Sequence, residues 1–282
     1  MTGMLWRGIA LLIVLALGAA ALYLLTPEGQ GLRDRLRINA TRRENRALHD
    51  LGVPLPGTPD LAGLDGRLAA EGVRLGAPVF IRIFKLESEL ELWLEKDGRF
   101  VRFATYPICL WSGRLGPKLT EGDLQAPEGF YTVGAEQLNP NSRWHRAFNL
   151  GFPNAFDQAQ GRTGSLIMVH GGCASIGCFA MTNPVIDELW RMVTAALDAG
   201  LPRVPVHVFP FRMSEANVAA RKSDRWSGFW TDLKSGYDAF EKDHIPPIVS
   251  VSRGRDVAES GTLQTVGRPV ENRCPSAFAA ER

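Results

Sequence analysis

The chain has 282 residues, 45% of them hydrophobic and 22% charged, enough for one large or two small globular domains with a true core. Its formal net charge is +2, from 32 Lys and Arg against 30 Asp and Glu, so nothing in the overall balance points to a nucleic-acid partner. Four cysteines neither demand nor exclude disulfides, and the compartment has to be read from the N-terminus.

Ile9 to Leu25 is an uncharged run of 17 residues preceded by Arg7. That is the short limit for a membrane helix and slightly long for a signal-peptide core. Ala19-Ala20-Ala21 fits a cleavage pattern, yet cutting there would leave Leu22 to Leu25 on the new terminus. Residues 1–28 therefore read as a signal anchor held in the membrane by residues 9–25, with a cleaved signal peptide as the alternative. Arg33, Arg35, Arg37, Arg42, Arg43 and Arg46 outnumber Arg7, which by charge alone argues for the reverse orientation. Residues 29–77 read as a solvated amphipathic helix over 32–50 followed by a linker rich in Pro54, Pro56 and Pro59, with a short helix over 61–71.

From residue 78 the pattern is β. Strands are predicted over Val79–Phe84, Glu89–Glu95 and Phe100–Tyr106, the last two joined by the Lys96-Asp97-Gly98-Arg99 turn. Leu90, Leu92 and Leu94 alternate with Glu89, Glu91 and Glu95, the pattern of a half-buried antiparallel sheet. Ser112 to Gly129 is a long loop ending in a strand over Phe130–Val133. Arg114 and Lys118 within it are candidate carboxylate binders, although solvated loop charges are the commoner explanation. Asn149 to Asp157 is a second turn-rich segment.

Ser165 to Asn183 reads SLIMVHGGCASIGCFAMTN. A strand leads into His170, the glycines Gly171 and Gly172 allow a tight turn, and Cys178 follows eight residues after the histidine, directly behind Gly177. A thiol becomes a useful nucleophile when a base or dipole lowers its pKa, and His170 is the only histidine near it in sequence. Gly177 leaves room beside the sulfur, and the N–H groups of Gly177 and Cys178 are candidates for an oxyanion hole. Two other readings compete on spacing alone. His170, Cys173, Cys178 and Cys109 are one His and three Cys, a set that suits structural zinc, although no C-x-x-C pair is present. Plain burial of a small thiol and a core histidine is the second.

Beyond the motif, Asn183-Pro184 reads as an N-cap and first turn, opening a helix that ends at Gly200, and Pro205–Phe209 as a returning strand. Residues 214–245 read as a helical extension, with helices over Ser214–Ser223 and Trp226–Lys242. Trp226, Phe229, Trp230, Leu233, Tyr237 and Phe240 share one face of the second. Residues 246–282 lose periodicity and are expected to be a disordered tail.

The His170-Gly171 pair with Ser175 and Gly177-Cys178 resembles the His-Gly and Ser-x-Gly-Cys signature of the YkuD-type L,D-transpeptidases, and HGGCASIGCFAMTN resembles the YafK-like murein branch. The resemblance runs from about Pro78 to about His244, through PVFIRIFK, GRLGPKLTEGDLQAPEGFY, NLGFPNAFD and VFPFRM. Where most members carry a second His before Gly-Cys and an Arg two residues after the Cys, this chain has Ile176 and Ala180. His170 is then the sole candidate base. Ala180 cannot make the bidentate ion pair that anchors a substrate carboxylate.

The resemblance implies a mainly β catalytic domain over 78–213 with flanking helices, facing the periplasm and tethered to the inner membrane by its N-terminal helix. It implies acyl transfer on murein stem peptides through a thioester on Cys178, with His170 as base and no metal or cofactor. Resolution by an amine, from another stem peptide or a murein-linked lipoprotein, makes a transpeptidase. Resolution by water makes an L,D-endopeptidase that cleaves such links. A non-catalytic peptidoglycan-binding domain, with an inert Cys178, is the reading from another class. Papain-like and NlpC-type peptidases place Cys before His, and the Thr-x-Thr-Cys strand of sortases is absent. Arg114, Lys118 and Gly172 are the candidate substrate contacts, with Gly171, Ser175 and Gly177 shaping the turn. In an oxidising compartment Cys173 would threaten Cys178 five residues on, so a Cys109–Cys173 disulfide is expected, leaving Cys274 unpaired.

Overall fold

The computed structural model describes residues 2–26 and 29–272. Three helices come first, α1 (Thr2–Leu25), α2 (Gln30–Asp50) and α3 (Leu64–Glu71). Strands β1 (Val79–Phe84), β2 (Glu89–Lys96) and β3 (Arg99–Pro107) then run antiparallel, with Asp97 and Gly98 at positive φ in the predicted turn. β4 (Leu110–Trp111), β5 (Gly129–Val133), β6 (Leu138–Ser142) and β7 (His145–Asn149) lead to α4 (Ala155–Ala159). β8 (Met168–His170), β9 (Phe179–Ala180), α5 (Asn183–Asp198) and β10 (Val204–Phe209) follow. The chain closes with α6 (Glu215–Ala219), α7 (Ser227–Asp243), β11 (Ile248–Ser252), β12 (Arg255–Glu259) and β13 (Glu271–Asn272). This is the expected mainly β architecture with flanking helices.

The first five-stranded sheet has the order β3-β2-β1-β10-β5 and the second β4-β9-β8-β7-β6. β1 and β10 pair in parallel at the centre of the first, and every residue of both is buried. Because α5 lies on one face and α7 on the other, both faces of the sheet are covered. Trp230, Leu233 and Phe240 of α7 are buried, each burial stabilising by about 2 kcal/mol.

The half-buried sheet read from β2 is therefore corrected. Glu91 is only 1% exposed, and its carboxylate is held by Arg212 at 2.7 Å, Trp93 Nε1 at 2.9 Å and Arg82 at 3.6 Å. Burial opposes its charge, but Arg82 and Arg212 hold the carboxyl below the usual carboxylate range. Arg82 in turn lies against the rings of Tyr237 and Phe240. Alternation in sequence marks two faces of a strand; it does not say that the polar face meets water.

The N-terminal expectations change most. α2 is not a solvated helix: Asp34, Ile38 and Asn45 are buried, and Arg42 stacks 4.1 Å over the Trp111 ring. Asp34 takes both arms of Arg221 at 2.8 Å, and Asn45 Nδ2 donates to Ile108 O at 3.0 Å. The stripe 34, 38, 42, 45 has helical spacing but is mostly polar, so a hydrophobic period misses it. The linker is packed as well, with Leu55, Leu64 and Leu68 buried and Arg67 paired with Glu188. Among the described residues no helix is long and apolar enough to cross a membrane, so the expected membrane helix at 9–25 finds no support here. Its 17 uncharged residues reach about 26 Å, against a hydrocarbon core of about 30 Å.

Residues 246–272 are not a disordered tail but a three-stranded sheet, order β12-β11-β13, packed beside α7. Its signals are the alternation of Val249 and Val251 with serines and the Arg253-Gly254 turn at positive φ. Cys274 and the rest of 273–282 lie outside the described residues. Asp256 in β12 is 6% exposed, and neither of its carboxylate oxygens has a hydrogen-bond partner. Burial first, then Asp157 and Asp232, push its carboxyl up to about 7, with Arg162 opposing. A raised folded pKa favours the protonated acid, so this group's contribution to stability is full below pH 3.8 and lost as pH rises through about 7. Asp256→Asn, which mimics the protonated form, is expected to raise Tm at pH 8 by several degrees and much less at pH 5. Thermal unfolding at the two pH values checks this; an equal shift at both would remove Asp256 as the titrating group.

Candidate active site

β8 and β9 pair in parallel, with Val169 opposite Phe179 and His170 opposite Ala180. Cys178 stands two residues before Ala180, and side chains two apart share a face, so the register sets the thiol on the same side as the imidazole. The intervening turn needs its glycines. Gly172 and Gly177 have φ +77 and +140, a Cβ on Gly177 would stand 3.2 Å from Ile167 Cδ1, and one on Gly171 2.6 Å from Asn183 Oδ1.

His170 is 2% exposed, and its Nδ1 lies 2.6 Å from Gly171 O. A carbonyl can only accept, so Nδ1 carries the proton and Nε2 keeps its lone pair as a base. Burial lowers the imidazole pKa, with the Gly171 carbonyl partly opposing. The Trp144 ring lies 5.9 Å away, centroid to centroid. Cys178 is a free thiol. Its Sγ accepts the Met168 N–H at 3.4 Å and points its own hydrogen toward Leu166 O at 3.7 Å. Burial pushes the thiol up, while the Met168 N–H and the Lys118 cation pull it down; the net is raised. At neutral pH the thiol and the imidazole are each neutral, the state in which His170 can act as general base on arrival of substrate.

Ser175 belongs to the turn. Its Oγ donates to Cys178 O at 2.7 Å, receives Gly177 N–H at 3.2 Å and meets Ser112 Oγ at 3.2 Å. Gly177 N–H is thus engaged, which leaves Cys178 N–H as the remaining donor of the expected oxyanion pair. Ser175→Ala is expected to lower kcat/KM by about tenfold through a loosened turn, without moving the pH profile. A shifted acid limb in that variant would instead put Ser175 on His170.

Cys109 and Cys173 are joined by a disulfide with Cα atoms 5.4 Å apart. Their sulfurs are therefore not available to zinc, and among the described residues no group of three His, Cys, Asp or Glu could hold a metal ion. Plain burial fits Cys173, which packs with Cys109 and Leu55, better than it fits Cys178. Arg114 is exposed on the long loop. Lys118 is not a free loop cation: it is 3% exposed and bonded to Asp123 at 2.5 Å and Thr120 O at 2.9 Å. Its charge acts on the Cys178 thiol instead.

Some functional positions escaped the sequence. Asn183 is the first helical residue of α5 rather than its cap, which is Thr182; its side chain accepts Gly172 N–H at 2.8 Å and fastens the turn. Trp144, on the β6–β7 turn, reaches His170 from a segment with no motif. Ile176 and Leu166 are 76% and 64% exposed beside the thiol. A cavity of about 760 Å³ lies between the 49–61 segment and the start of α5, touching Asn183, while the thiol itself lies outside it.

The family model for the L,D-transpeptidase catalytic domain, YkuD, matches residues 81–208. The chain is 47% identical over 195 residues to a protein of Escherichia coli (strain K12) named "Putative L,D-transpeptidase YafK", covering 69% of this chain and 79% of that protein. The protein of that name in Escherichia coli O157:H7 matches over the same shares at the same identity. Among solved structures, the helical cell shape determining protein Pgp2 from Campylobacter jejuni is 22% identical, covering 62% of this chain and 65% of that one, with a TM-score of 0.39.

Proposed function

The chain belongs to the YkuD-type L,D-transpeptidase family, in its YafK-like branch, and from that premise we propose that it acts on murein stem peptides through a thioester on Cys178. An enzyme of the L,D-transpeptidase type directed at peptidoglycan is what the family makes of it. The observation that supports the finer reading is that the β8–β9 register sets a free thiol on the same side as an imidazole whose Nδ1–H is tied to Gly171 O, leaving Nε2 for the proton. Cys178 Sγ attacks a stem-peptide carbonyl that follows an L-centre, and His170 takes the thiol proton. His170 returns that proton to the leaving amine as the tetrahedral adduct collapses to the thioester. An incoming nucleophile then releases the acyl group.

An amine acceptor, on a second stem peptide or a murein-linked lipoprotein, gives transpeptidation. Ala180 favours a second reading, hydrolysis by water as an endopeptidase: it is fully buried within β9, so no cation stands two residues past the thiol to hold a carboxylate. The work would be done in the periplasm, with 9–25 as export signal, retained or cleaved. The Cys109–Cys173 disulfide supports an oxidising compartment. Incubating the full chain with stem peptide and resolving the protein by intact mass tests the thioester. An adduct of the acyl mass that disappears in Cys178→Ala is expected, and turnover with no adduct and no dependence on Cys178 would overturn it. Product analysis on purified peptidoglycan, new cross-links against released peptides, separates the two resolutions.

A further inference from the structure

A groove of about 310 Å³ opens between α2, the 112–129 loop and the segment leading into α7. Arg35, Arg114 and Arg225 line it from three separate elements, all three exposed and none paired with a carboxylate among the described residues. Of the two acids in the lining, Asp34 is consumed by Arg221 through both oxygens at 2.8 Å, and Asp224 Oδ1 accepts the Trp226 N–H at 2.8 Å. Three cations thus face one carboxylate that lacks a cationic partner. Arg225 is ordered over the Trp226 ring, its Cζ 4.7 Å from the centroid.

The wall of the groove is built rigidly. Gln125 Oε1 accepts Arg114 N–H at 2.8 Å, while its Nε2 donates to Arg114 O at 2.6 Å and Gly116 O at 2.9 Å. Beneath it the fully buried Lys85–Glu128 pair, 2.8 Å apart, grips Gly116 O at 2.9 Å and Gly116 N–H at 2.7 Å. The backbone that carries Arg114 is therefore held from the core, which limits the ordering cost of binding. The same wall meets the catalytic turn: a Cβ built on Gly177 would lie 3.6 Å from Gln125 O. A ligand that passes Gln125 toward Cys178 leads back into the arginines.

We propose that this groove is an anion subsite that takes the free carboxylates of a peptide whose reacting carbonyl sits at Cys178. The proposal rests on the peptidoglycan reading, since stem peptides carry free carboxylates along their length. Guanidinium forks match carboxylates bidentately, and their mounting on three elements suits an extended chain of acids rather than a single compact anion. With Ala180 where the family keeps an Arg, the cation that orients the substrate is supplied from outside the motif. Arg35, Arg114 and Arg225 are specificity-determining residues that act on binding, not on the proton transfer.

The test uses the full-length Cys178→Ala chain, which binds without turnover, and a murein stem tetrapeptide in its free-acid and fully amidated forms. The acid form is expected to bind about tenfold or more tightly than the amide, with the difference shrinking as salt rises. Arg114→Ala and Arg225→Ala should each weaken the acid form by about tenfold and leave the amide unchanged, whereas Arg43→Ala, elsewhere on α2, should change neither. In the active enzyme the two groove variants should raise KM and keep kcat. Equal binding of acid and amide, or indifference of the acid form to both arginine changes, overturns the subsite. A tri-glutamate peptide separates this from failure of the enzyme reading: its Arg-dependent binding to a chain that turns over no stem peptide would keep the groove and discard the reaction, while its failure to bind would count against the groove.

Discussion

Cys178→Ala is expected to lower turnover of stem peptides by about ten-thousandfold or more and to abolish the acyl adduct, with secondary structure and Tm nearly unchanged. The thiol contributes little to packing, since Cys178 is only partly buried and its Sγ holds one weak N–H contact, from Met168 at 3.4 Å. His170→Ala should come close to the same loss, because with the thiol pushed up by burial there is no standing thiolate to fall back on. The pH behaviour follows from the two shifts. The imidazole pKa is lowered, so His170 stays unprotonated through the neutral range and the acid limb of kcat/KM should fall below the usual histidine range. Alkylation of Cys178 by iodoacetamide should rise with pH through a pKa above that of an ordinary thiol. Rapid labelling at pH 6, flat with pH, would mean a preformed thiolate–imidazolium pair and would sink the general-base account. Near wild-type turnover in Cys178→Ala would remove the nucleophile altogether.

The parts of this site that rest on local chemistry were legible in the sequence. The His170 strand, the glycine turn and the Gly177-Cys178 step follow each other within a few residues, and turn geometry explains each glycine. What escaped depends on distant contacts. Trp144 reaches His170 from a hairpin turn 26 residues upstream in the sequence, and no local period marks it. Lys118 looked like a solvated loop charge until the fold buried it against Asp123. The contact stripe of α2 pairs Asp34 with Arg221, 187 residues away, instead of burying leucines, so no hydrophobic period marks it. Glu91 shows the same limit inside the sheet, where an acid on the polar face of a strand is enclosed by Arg82, Trp93 and the distant Arg212. Asp34, Glu91 and Lys118 each fold inward against a charged partner, and the partner's position in space is what a single sequence conceals.

Breaking the Cys109–Cys173 disulfide is expected to cost both stability and activity, and the two single variants should not be equivalent. The bridge spans 64 residues, so on chain entropy alone it stabilises by about 4 kcal/mol, and either Cys→Ser change should lower Tm by roughly ten degrees. It also fastens the catalytic turn. Cys173 stands three residues after His170 and five before Cys178, and its partner Cys109 directly precedes β4, which pairs with β9. Release of that tie should loosen the positions of thiol and imidazole together, and kcat should fall by an order of magnitude or more. The difference between the variants lies in the thiol left behind. Cys173→Ser leaves Cys109, which is 1% exposed beneath Leu55 and Asn45. Cys109→Ser leaves Cys173 on the same short turn as Cys178. In oxidised glutathione the second variant should form a Cys173–Cys178 bridge, two thiols giving up two electrons and two protons to the glutathione disulfide, and become inactive until dithiothreitol restores it. The double variant lacks the trap, so its activity should not respond to either reagent. Thiol counting with activity across the three variants reads this directly: equal, reductant-insensitive activity in Cys109→Ser and Cys173→Ser would show that the bridge guards nothing, and only its structural role would remain.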